Sequence, residues 1–477
     1  MKLRTKAAAC RIPLLILTVL SFALGLMTLT SCGGGSTGSI DNQDERPNIN
    51  NVATVKVGTN SAGFPNGLFT SVTVCGPTIR PVGQNPPDGP PSAPTCQTID
   101  NILVDTNSVG LRLIETPAVD SLTLPVVTDS SNNTLQECVQ FPDFTYVWGP
   151  VARATVQIAG ETAAQVPLEG ETAKTGIPIQ IITSPLYLST AAPASCLASP
   201  PAGGMPIAAD TLQTLGAAGI LGVGSFLQDC GSACASITPP SQYYTCPSKV
   251  CSLAAVPQNL QVWNPVAAFA YDHNGLSLTL PSASGGGSDS ITGSLIFGIG
   301  TTTNNALGSA EIFAIDAYGN FPQVTLYVPN SDENLPPIPL VNYLSPQNGS
   351  YLDTASPAIY FSDAQSLSIP ECLDSGSKAL GLYCPAFVTN YSADVYGTNN
   401  AKVNVSWNVD NAATLLKGGS SVLNALGGDS GIGVSTDYVD LGLPFFLGRT
   451  IFVGFAGSTT LSLQSQVITY PNGYWAF

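Results

Sequence analysis

Two aspartates stand in the same short motif, once in each half of the chain. Asp105 follows the apolar run Ile102–Val104 and opens Asp-Thr-Asn-Ser, and Asp353 follows Tyr351–Leu352 and opens Asp-Thr-Ala-Ser. One acidic turn residue is usually a solvated Asx-turn, but in this chain the apolar lead-in and the turn both recur. If the two carboxyl groups meet, they share a proton, so that one serves as general base and the other as general acid. The repeated motif therefore predicts a two-carboxyl site.

Further segments repeat around these turns and would position them. Leu111–Leu113 follows the first turn, and Ile359–Phe361 follows the second at the equivalent place. Each half later carries a glycine-bearing apolar segment, Gly219–Gly224 in the first and Leu441–Phe446 in the second. Two copies of one strand-turn-strand plan indicate two related β lobes.

The composition also favours strands over helices. Only 10% of the residues are charged, while 47 glycines and 38 prolines punctuate short apolar runs. Such runs between turn residues are typical of strands, and no long amphipathic helical pattern competes with them. A chain of 477 residues exceeds one ordinary core. We therefore predict an all-β protein with two lobes, at residues 51–250 and 251–477.

The charge and the histidine count exclude several kinds of function. The formal net charge is −16, which would repel nucleic acid and anionic lipid. The single histidine, His273, lies in a turn-like segment, so His-rich metal sites and Ser-His-Asp or Cys-His catalysis are not expected. We expect a monomer with no cofactor, no metal and no nucleic-acid partner.

Residues 1–31 have the layout of a signal peptide. Basic residues precede the apolar stretch Ile12–Leu29, and small residues then lead to Cys32. A cysteine at the cleavage site resembles the bacterial lipoprotein signal, in which the thiol carries the lipid. The alternative is an ordinary signal peptide or an anchor helix with an incidental cysteine. We expect an exported protein anchored in the membrane by lipid on Cys32, with residues 32–50 as a flexible tether. Gly33 favours the outer membrane by resemblance to sorted lipoproteins.

Ten cysteines follow Cys32, and an even number in an exported chain indicates about five disulfides. We expect local bridges at Cys75–Cys96 and Cys372–Cys384, with a longer one at Cys138–Cys196. The sequence leaves open which of three connectivities joins the last four, or whether they bind zinc instead. These four are Cys230, Cys234, Cys246 and Cys251.

Taken in order, the motifs resemble those of the pepsin-like aspartic peptidases. In that family each lobe supplies an Asp-Thr/Ser-Gly-Ser/Thr loop, and a β-hairpin flap and several apolar glycine-bearing strands lie between and after the loops. The matching segments are Val104–Ser108, Phe144–Gly149, Ala154–Gly160, Gly219–Gly222, Gly293–Gly298, Leu352–Ser356, Leu441–Arg449 and Thr450–Val453. The resemblance implies a bilobal pepsin-like fold with an interlobe cleft. The whole chain is also similar to an uncharacterised bacterial lipoprotein family known as a domain of unknown function.

The resemblance also implies roles for individual residues. Asp105 and Asp353 would form the catalytic dyad that activates water, and Ser108 would hydrogen-bond Asp105. Thr106 and Thr354 would tie the two loops together across the seam. The supporting residues are then Thr106, Ser108, Thr354 and Ser356. Tyr146 is the candidate flap tyrosine, with an ordinary strand aromatic as the alternative.

Three positions depart from the family pattern. Asn107 and Ala355 replace the glycine after Asp-Thr, and Leu443-Pro444 replaces the aspartate of the closing Leu-Gly-Asp. Glycine at the first two positions lets backbone and substrate approach closely. The paired Asp-Thr-x-Ser turns favour an aspartic endopeptidase, active or degenerate, whereas Asn107 and Ala355 favour the alternative. The alternative is a non-catalytic envelope lipoprotein that is structural or binds a peptide or glycan in the cleft.

Overall fold

The described chain is built mainly from short β-strands joined by turns and loops, with few helices, which confirms the all-β prediction. The computed structural model describes residues 49–76, 95–166, 176–183, 190–197, 206–236, 242–330, 334–346, 349–361, 369–372, 378–379, 381–430, 438–461 and 467–477. The predicted signal peptide, Cys32 and nearly all of the predicted tether lie outside these residues.

The strands divide between the two halves of the chain. In the first half they are β1 (Val52–Gly58), β2 (Gly67–Cys75), β3 (Cys96–Asp105), β4 (Val109–Ile114), β5 (Leu135–Gln140), β6 (Thr145–Ile158), β7 (Glu161–Ala163), β8 (Ile177–Ile182), β9 (Ile207–Ala208), β10 (Gly219–Val223) and β11 (Tyr243–Thr245). In the second half they are β12 (Ser252–Leu253), β13 (Gly275–Thr279), β14 (Ile291–Phe297), β15 (Ile312–Ala314), β16 (Gln323–Val328), β17 (Ile338–Leu344), β18 (Tyr351–Leu352), β19 (Ile359–Tyr360), β20 (Thr389–Tyr396), β21 (Lys402–Val409), β22 (Gly427–Gly428), β23 (Asp440–Leu441), β24 (Thr450–Gly454), β25 (Ser458–Leu461), β26 (Val467–Tyr470) and β27 (Tyr474–Ala476).

Helices are few and short in the described residues. The α-helices are α1 (Pro117–Asp120), α2 (Leu212–Leu215), α3 (Ala412–Lys417) and α4 (Leu443–Phe446). Single 3-10 turns lie at Gly231–Ala235, Pro247–Lys249, Gln258–Leu260, Val266–Ala268 and Thr303–Asn305. None of these helices is long and apolar enough to cross a membrane.

The strand sequences match their places in the sheets. In β1 the side chains alternate, with Val55 and Val57 buried and Lys56 exposed, as for a strand with one face on the core. In β8 all six residues from Ile177 to Ile182 are buried, as for a strand that is covered on both faces.

The largest sheet contains strands from both predicted lobes. β1 pairs antiparallel with β2 on one side and with β14 on the other. β14 continues through β13 to β24, and β24 pairs with β27 near the end of the chain. Residues Ile49–Phe477 form one compact unit.

The strands around both Asp-Thr turns have the same arrangement. β10 lies between β3 and β4, parallel to β3 and antiparallel to β4. In the second half, β23 is parallel to β18 and antiparallel to β19. In each half a glycine packs closely against the turn. A Cβ on Gly222, in β10, or on Gly442, directly after β23, would collide with the turn backbone or with the residues just after it. In the first half the glycine-bearing segment noted in the sequence is thus the strand that supports the turn. In the second half only Leu441 lies in a strand, and Leu443–Phe446 forms α4 instead.

Five disulfides join the ten cysteines after Cys32. They confirm the expected pairs Cys75–Cys96, Cys138–Cys196 and Cys372–Cys384. The remaining four pair locally as Cys230–Cys234 and Cys246–Cys251, which leaves no thiol among them for zinc. Five disulfides indicate an exported protein from an oxidising compartment.

Candidate functional site

The two Asp-Thr turns hold their carboxyl groups with backbone N–H donors. Asp105 Oδ1 accepts hydrogen bonds from the N–H of Asn107 at 2.8 Å and of Ser108 at 2.9 Å. Asp353 Oδ1 accepts one from the N–H of Ala355 at 2.8 Å. Hydrogen bonds from N–H groups favour the ionised form of a carboxyl. By the number of backbone N–H donors, two against one, the geometry favours the charge on Asp105.

Two threonines join the turns to each other. The N–H of Thr106 donates to Thr354 Oγ1 at 3.2 Å, and the N–H of Thr354 donates to Thr106 Oγ1 at 3.1 Å. Thr106 Oγ1 donates in turn to the Leu352 carbonyl at 3.2 Å, and Thr354 Oγ1 to the Val104 carbonyl at 2.6 Å. Both threonines are fully buried. These four reciprocal bonds fix the relative position of the two turns.

The cross-link brings the two aspartates into contact. Asp105 is 5% exposed, and it lies close enough to Asp353 for the two carboxyl groups to interact. Burial and the neighbouring charge of Asp105 hold the pKa of Asp353 well above its ordinary value. Such a pair keeps one proton between two carboxyl groups, which is the state required for combined acid and base chemistry.

A third carboxyl, which the sequence interpretation missed, lies next to this pair. Asp440 is 3% exposed, and its Oδ2 lies 2.5 Å from Ser356 Oγ. The same Ser356 oxygen lies 3.1 Å from Asp353 Oδ2. Burial and the charge of Asp353 raise the pKa of Asp440 well above its ordinary value. The available signal was an aspartate directly before Leu441-Gly442, whereas the family pattern has one directly after Leu-Gly.

Three tyrosines surround Asp440. The rings of Tyr351 and Tyr438 stack with centroids 5.7 Å apart, and Tyr360 pairs with Asp440 across β19 and β23. Burial, followed by the charge of Asp440, raises the pKa of Tyr438 to about 12 and that of Tyr360 further still. These hydroxyls therefore stay protonated and can donate hydrogen bonds over the whole physiological pH range.

Asp105, Asp353 and Asp440 line a cavity of about 550 Å³, which we call the aspartate cavity. The loop of the β5–β6 hairpin, residues 141–144, forms part of its wall. Among the described lining residues Lys378 is the only basic one, and its Nζ donates to the Gly63 carbonyl at 2.6 Å. A cavity of this size, with both apolar and polar walls, is typical of ligand sites.

Two sequence-derived candidates lie elsewhere. Ser108 contributes its backbone N–H to Asp105, but its buried Oγ has no hydrogen-bond partner among the described residues. Tyr146 lines a separate cavity of about 410 Å³ together with Trp148 and Asp210. Successive strand residues point to opposite faces, so Thr145 faces the aspartate cavity and Tyr146 faces away from it.

The two residues that replace glycine differ in their surroundings. Neither Asn107 nor Ala355 has a positive φ, so neither turn requires glycine for its backbone conformation. Asn107 is exposed, whereas Ala355 is half-buried and lines the aspartate cavity. Compared with glycine, both residues add a Cβ atom, but only the Cβ of Ala355 takes space in the cavity beside the carboxyl pair.

Fold and site together define an exported all-β protein with a carboxyl pair, Asp105 buried and Asp353 half-buried, at the junction of two repeated turns. Residues 47–477 match the family described as "Protein of unknown function (DUF3443)", and the chain belongs to this family. This agrees with the similarity to a domain of unknown function noted in the sequence. No protein with a curated description matches the chain.

Proposed function

We propose that this protein is an aspartic endopeptidase of the bacterial cell envelope with a bilobal pepsin-like fold. Its lobes would be residues 51–250 and 251–477, its cleft the aspartate cavity, and its membrane anchor a lipid on Cys32. The observation that carries the proposal is the close carboxyl pair on two threonine-linked turns that line one cavity. Both the repeat of the turns and the raised pKa of Asp353 support it.

In the proposed mechanism both carboxyl groups hold one water molecule. Asp105, which accepts two backbone N–H bonds, is the base that removes a proton from this water. The water oxygen attacks the peptide carbonyl carbon while Asp353 gives its proton to the carbonyl oxygen. The tetrahedral intermediate then collapses: Asp353 takes a proton back from one hydroxyl group of the intermediate, the C–N bond breaks, and the proton taken by Asp105 passes to the leaving nitrogen. Each carboxyl thus exchanges its role within one turnover.

The β5–β6 hairpin is the proposed flap over the substrate. Phe141 and Phe144 supply apolar surface at its loop, and Asp143 lies between them. An extended peptide in the cavity would be covered by this loop and excluded from water, which strengthens the electrostatic interactions at the carboxyl pair. Tyr146 faces away from the cavity and takes no part in this proposal.

Cleavage of an unfolded protein substrate tests the proposal. We expect peptide-bond hydrolysis at acid pH that declines as pH rises and the shared proton is lost. A statine-type transition-state analogue, whose hydroxyl takes the place of the water, should block it. Cleavage products identified by mass spectrometry with and without the analogue provide the measurement. Hydrolysis that persists unchanged at alkaline pH or in the presence of the analogue would contradict the proposal.

A second candidate function is binding of a peptide or glycan without cleavage. The observation that favours it is the Ala355 side chain, which occupies space in the aspartate cavity beside Asp353. A ligand could still bind there, while the reacting carbonyl would be held away from the carboxyl pair. Isothermal titration with peptides that remain intact would support this second function.

Replacing Ala355 with Gly separates the two candidates. Removing one methyl group relieves crowding that costs on the order of 1 kcal/mol, so we expect Ala355→Gly to raise kcat/KM roughly fivefold. The matched control is Asn107→Gly, which removes an exposed side chain that does not line the cavity and should leave activity unchanged. An equal gain in both variants, or none in Ala355→Gly, would show that crowding by Ala355 does not limit activity.

A further inference from the structure

The hydroxyl group of Ser356 lies between two carboxyl groups. Its Oγ is 3.1 Å from Asp353 Oδ2 and 2.5 Å from Asp440 Oδ2, and both distances are those of hydrogen bonds. A serine hydroxyl carries one proton and can donate only one hydrogen bond, while it can accept two. Ser356 therefore cannot donate to both carboxyl groups, and one of them must donate to Ser356.

Counting protons along the chain of contacts extends this argument to Asp105. Two links are hydrogen-bond contacts, Asp353 to Ser356 and Ser356 to Asp440. The third is the close pair Asp105 and Asp353, whose carboxyl groups cannot both ionise and so share one proton. The proton shared by Asp105 and Asp353 lies between those two carboxyl groups, so the second contact of Ser356 needs a proton from Asp440. The three links thus need three protons, and the hydroxyl of Ser356 supplies only one. The other two must lie on the three carboxyl groups, which then carry one negative charge in total.

We infer that Asp440 is a positioning residue of the site and that Asp105, Asp353 and Asp440 form one hydrogen-bonded chain holding two protons. In this chain Asp440 donates to Ser356, Ser356 donates to Asp353, and Asp353 donates to Asp105. All three bonds point toward Asp105, which keeps the negative charge and accepts the two N–H bonds of its own turn. The catalytic meaning of the chain rests on the proposed function, whereas the proton count does not.

The environment of Asp440 supports a neutral carboxyl. β23 holds Asp440 beside Tyr351 in parallel register, and Asp353 N–H donates to the Leu441 carbonyl at 3.2 Å. Asp440 Oδ1 is buried and has no hydrogen-bond partner among the described residues. An ionised carboxylate with one bare oxygen in such a place is costly, and protonation removes that cost. The raised pKa of Asp440 agrees with this assignment.

The groups that face Asp440 include no described cation. From β18 and its turn come Tyr351, Asp353 and Ser356, and from β19 comes Tyr360. Asp105 faces it from the first half of the chain and Tyr438 from its own segment. The tyrosines remain neutral and the aspartates add negative charge, so the surroundings favour a proton on Asp440.

The pH dependence of stability measures the number of protons. Carboxyl groups whose pKa is raised on folding stabilise the fold fully below the ordinary aspartate pKa, and this stabilisation is lost as pH rises through the folded-state pKa. In that window each such proton changes the unfolding equilibrium constant tenfold per pH unit. Asp353 and Asp440 should thus contribute a hundredfold change per pH unit, and one of these factors of ten should disappear in Asp440→Asn.

The experiment is urea unfolding of the oxidised full chain at about pH 5, 6 and 7, read by tryptophan fluorescence. Asp440→Asn should weaken the pH dependence tenfold per pH unit, and Asp440→Leu, an apolar replacement, should do the same if the first variant folds poorly. The matched control is Asp394→Asn. Asp394 pairs with Lys402 and has a lowered pKa, so the contribution of Asp394 is lost only at more acid pH and the slope should not change.

A purely structural role for Asp440 would shift stability equally at every pH and leave the slope unchanged. That result in the variant that folds would overturn the two-proton chain. Because the measurement needs no substrate, absence of peptidase activity would leave the proton count standing, and an unchanged slope would leave the peptidase proposal standing.

Discussion

Arg112→Met should lower the free energy of unfolding by about 3–5 kcal/mol, because it leaves two buried carboxyl groups without their cation. Arg112 is 1% exposed, and its Nη2 contacts Glu137 Oε1 at 2.8 Å and Asp229 Oδ2 at 2.9 Å. Burial alone would lower the pKa of Arg112, but the attraction of both carboxyl groups raises it above its ordinary value. Urea unfolding of the two proteins at neutral pH measures the difference.

The matched control for this prediction is Lys402→Met. Lys402 Nζ contacts Asp394 Oδ2 at 2.8 Å, but the lysine side chain is 49% exposed. Water screens such a pair, so its loss should lower the stability far less than the loss of Arg112. An equal loss of unfolding free energy in both variants would contradict the prediction that burial makes the ion pairs of Arg112 important for stability.

Arg112 also connects stability with the site. It lies in β4, the strand that leaves the Asp105 turn, and its Nη1 donates to the Val109 carbonyl at 2.5 Å. If β4 unfolds locally because Arg112 is lost, the turn that holds Asp105 is released as well. We expect Arg112→Met to lose activity at a lower urea concentration than the wild-type protein, in step with its lower stability.

The sequence could predict the features that depend on short stretches of chain. The two Asp-Thr turns are recognisable because each follows directly on an apolar strand, and their repetition removes the ambiguity of a single turn. The disulfide between Cys75 and Cys96 is predictable because both cysteines border one loop. The supporting strand at Gly219–Val223 could be identified from its glycines, which the close approach of the turn backbone requires.

Features that depend on contacts between distant residues could not be predicted in this way. Asp440 belongs to a strand of only two residues, and it reaches Ser356 through the parallel pairing of β23 with β18. The partners of Arg112 lie 25 and 117 residues further along the chain, so Leu111-Arg112-Leu113 could be identified only as one more apolar repeat. No local pattern contains either contact.

The orientation of Tyr146 shows a third kind of difficulty. An aromatic residue near a hairpin loop has two faces to choose between, and a shift of one residue exchanges them. Phe144 has a φ of 65°, so the regular alternation of side chains begins only with Thr145. The hairpin could be predicted from its sequence, but the face that each side chain occupies depends on this backbone turn.

Asp105→Asn and Asp353→Asn should each lower kcat/KM by about 10²–10⁴-fold, the usual contribution of a general acid or base. Asparagine keeps an oxygen that can accept the N–H bonds of the turn, so both variants should fold. For Asp353→Asn the sign of the stability change adds a second criterion. The raised pKa of Asp353 means that its ionisation opposes folding as pH rises, so the uncharged variant should be at least as stable as the wild type at neutral pH.

The combination of these two results identifies a catalytic group rather than a structural one. A structural residue loses activity because the fold weakens, whereas Asp353→Asn should lose activity while stability is kept or gained. Parallel measurement of peptide cleavage at acid pH and urea unfolding at neutral pH gives both values for each variant, with Asp394→Asn as a control carboxyl remote from the cavity. Cleavage that survives in both dyad variants would exclude the two carboxyl groups as acid and base. Loss of cleavage in a variant that is no less stable would assign the chemistry to the pair that the two threonine-linked turns hold together.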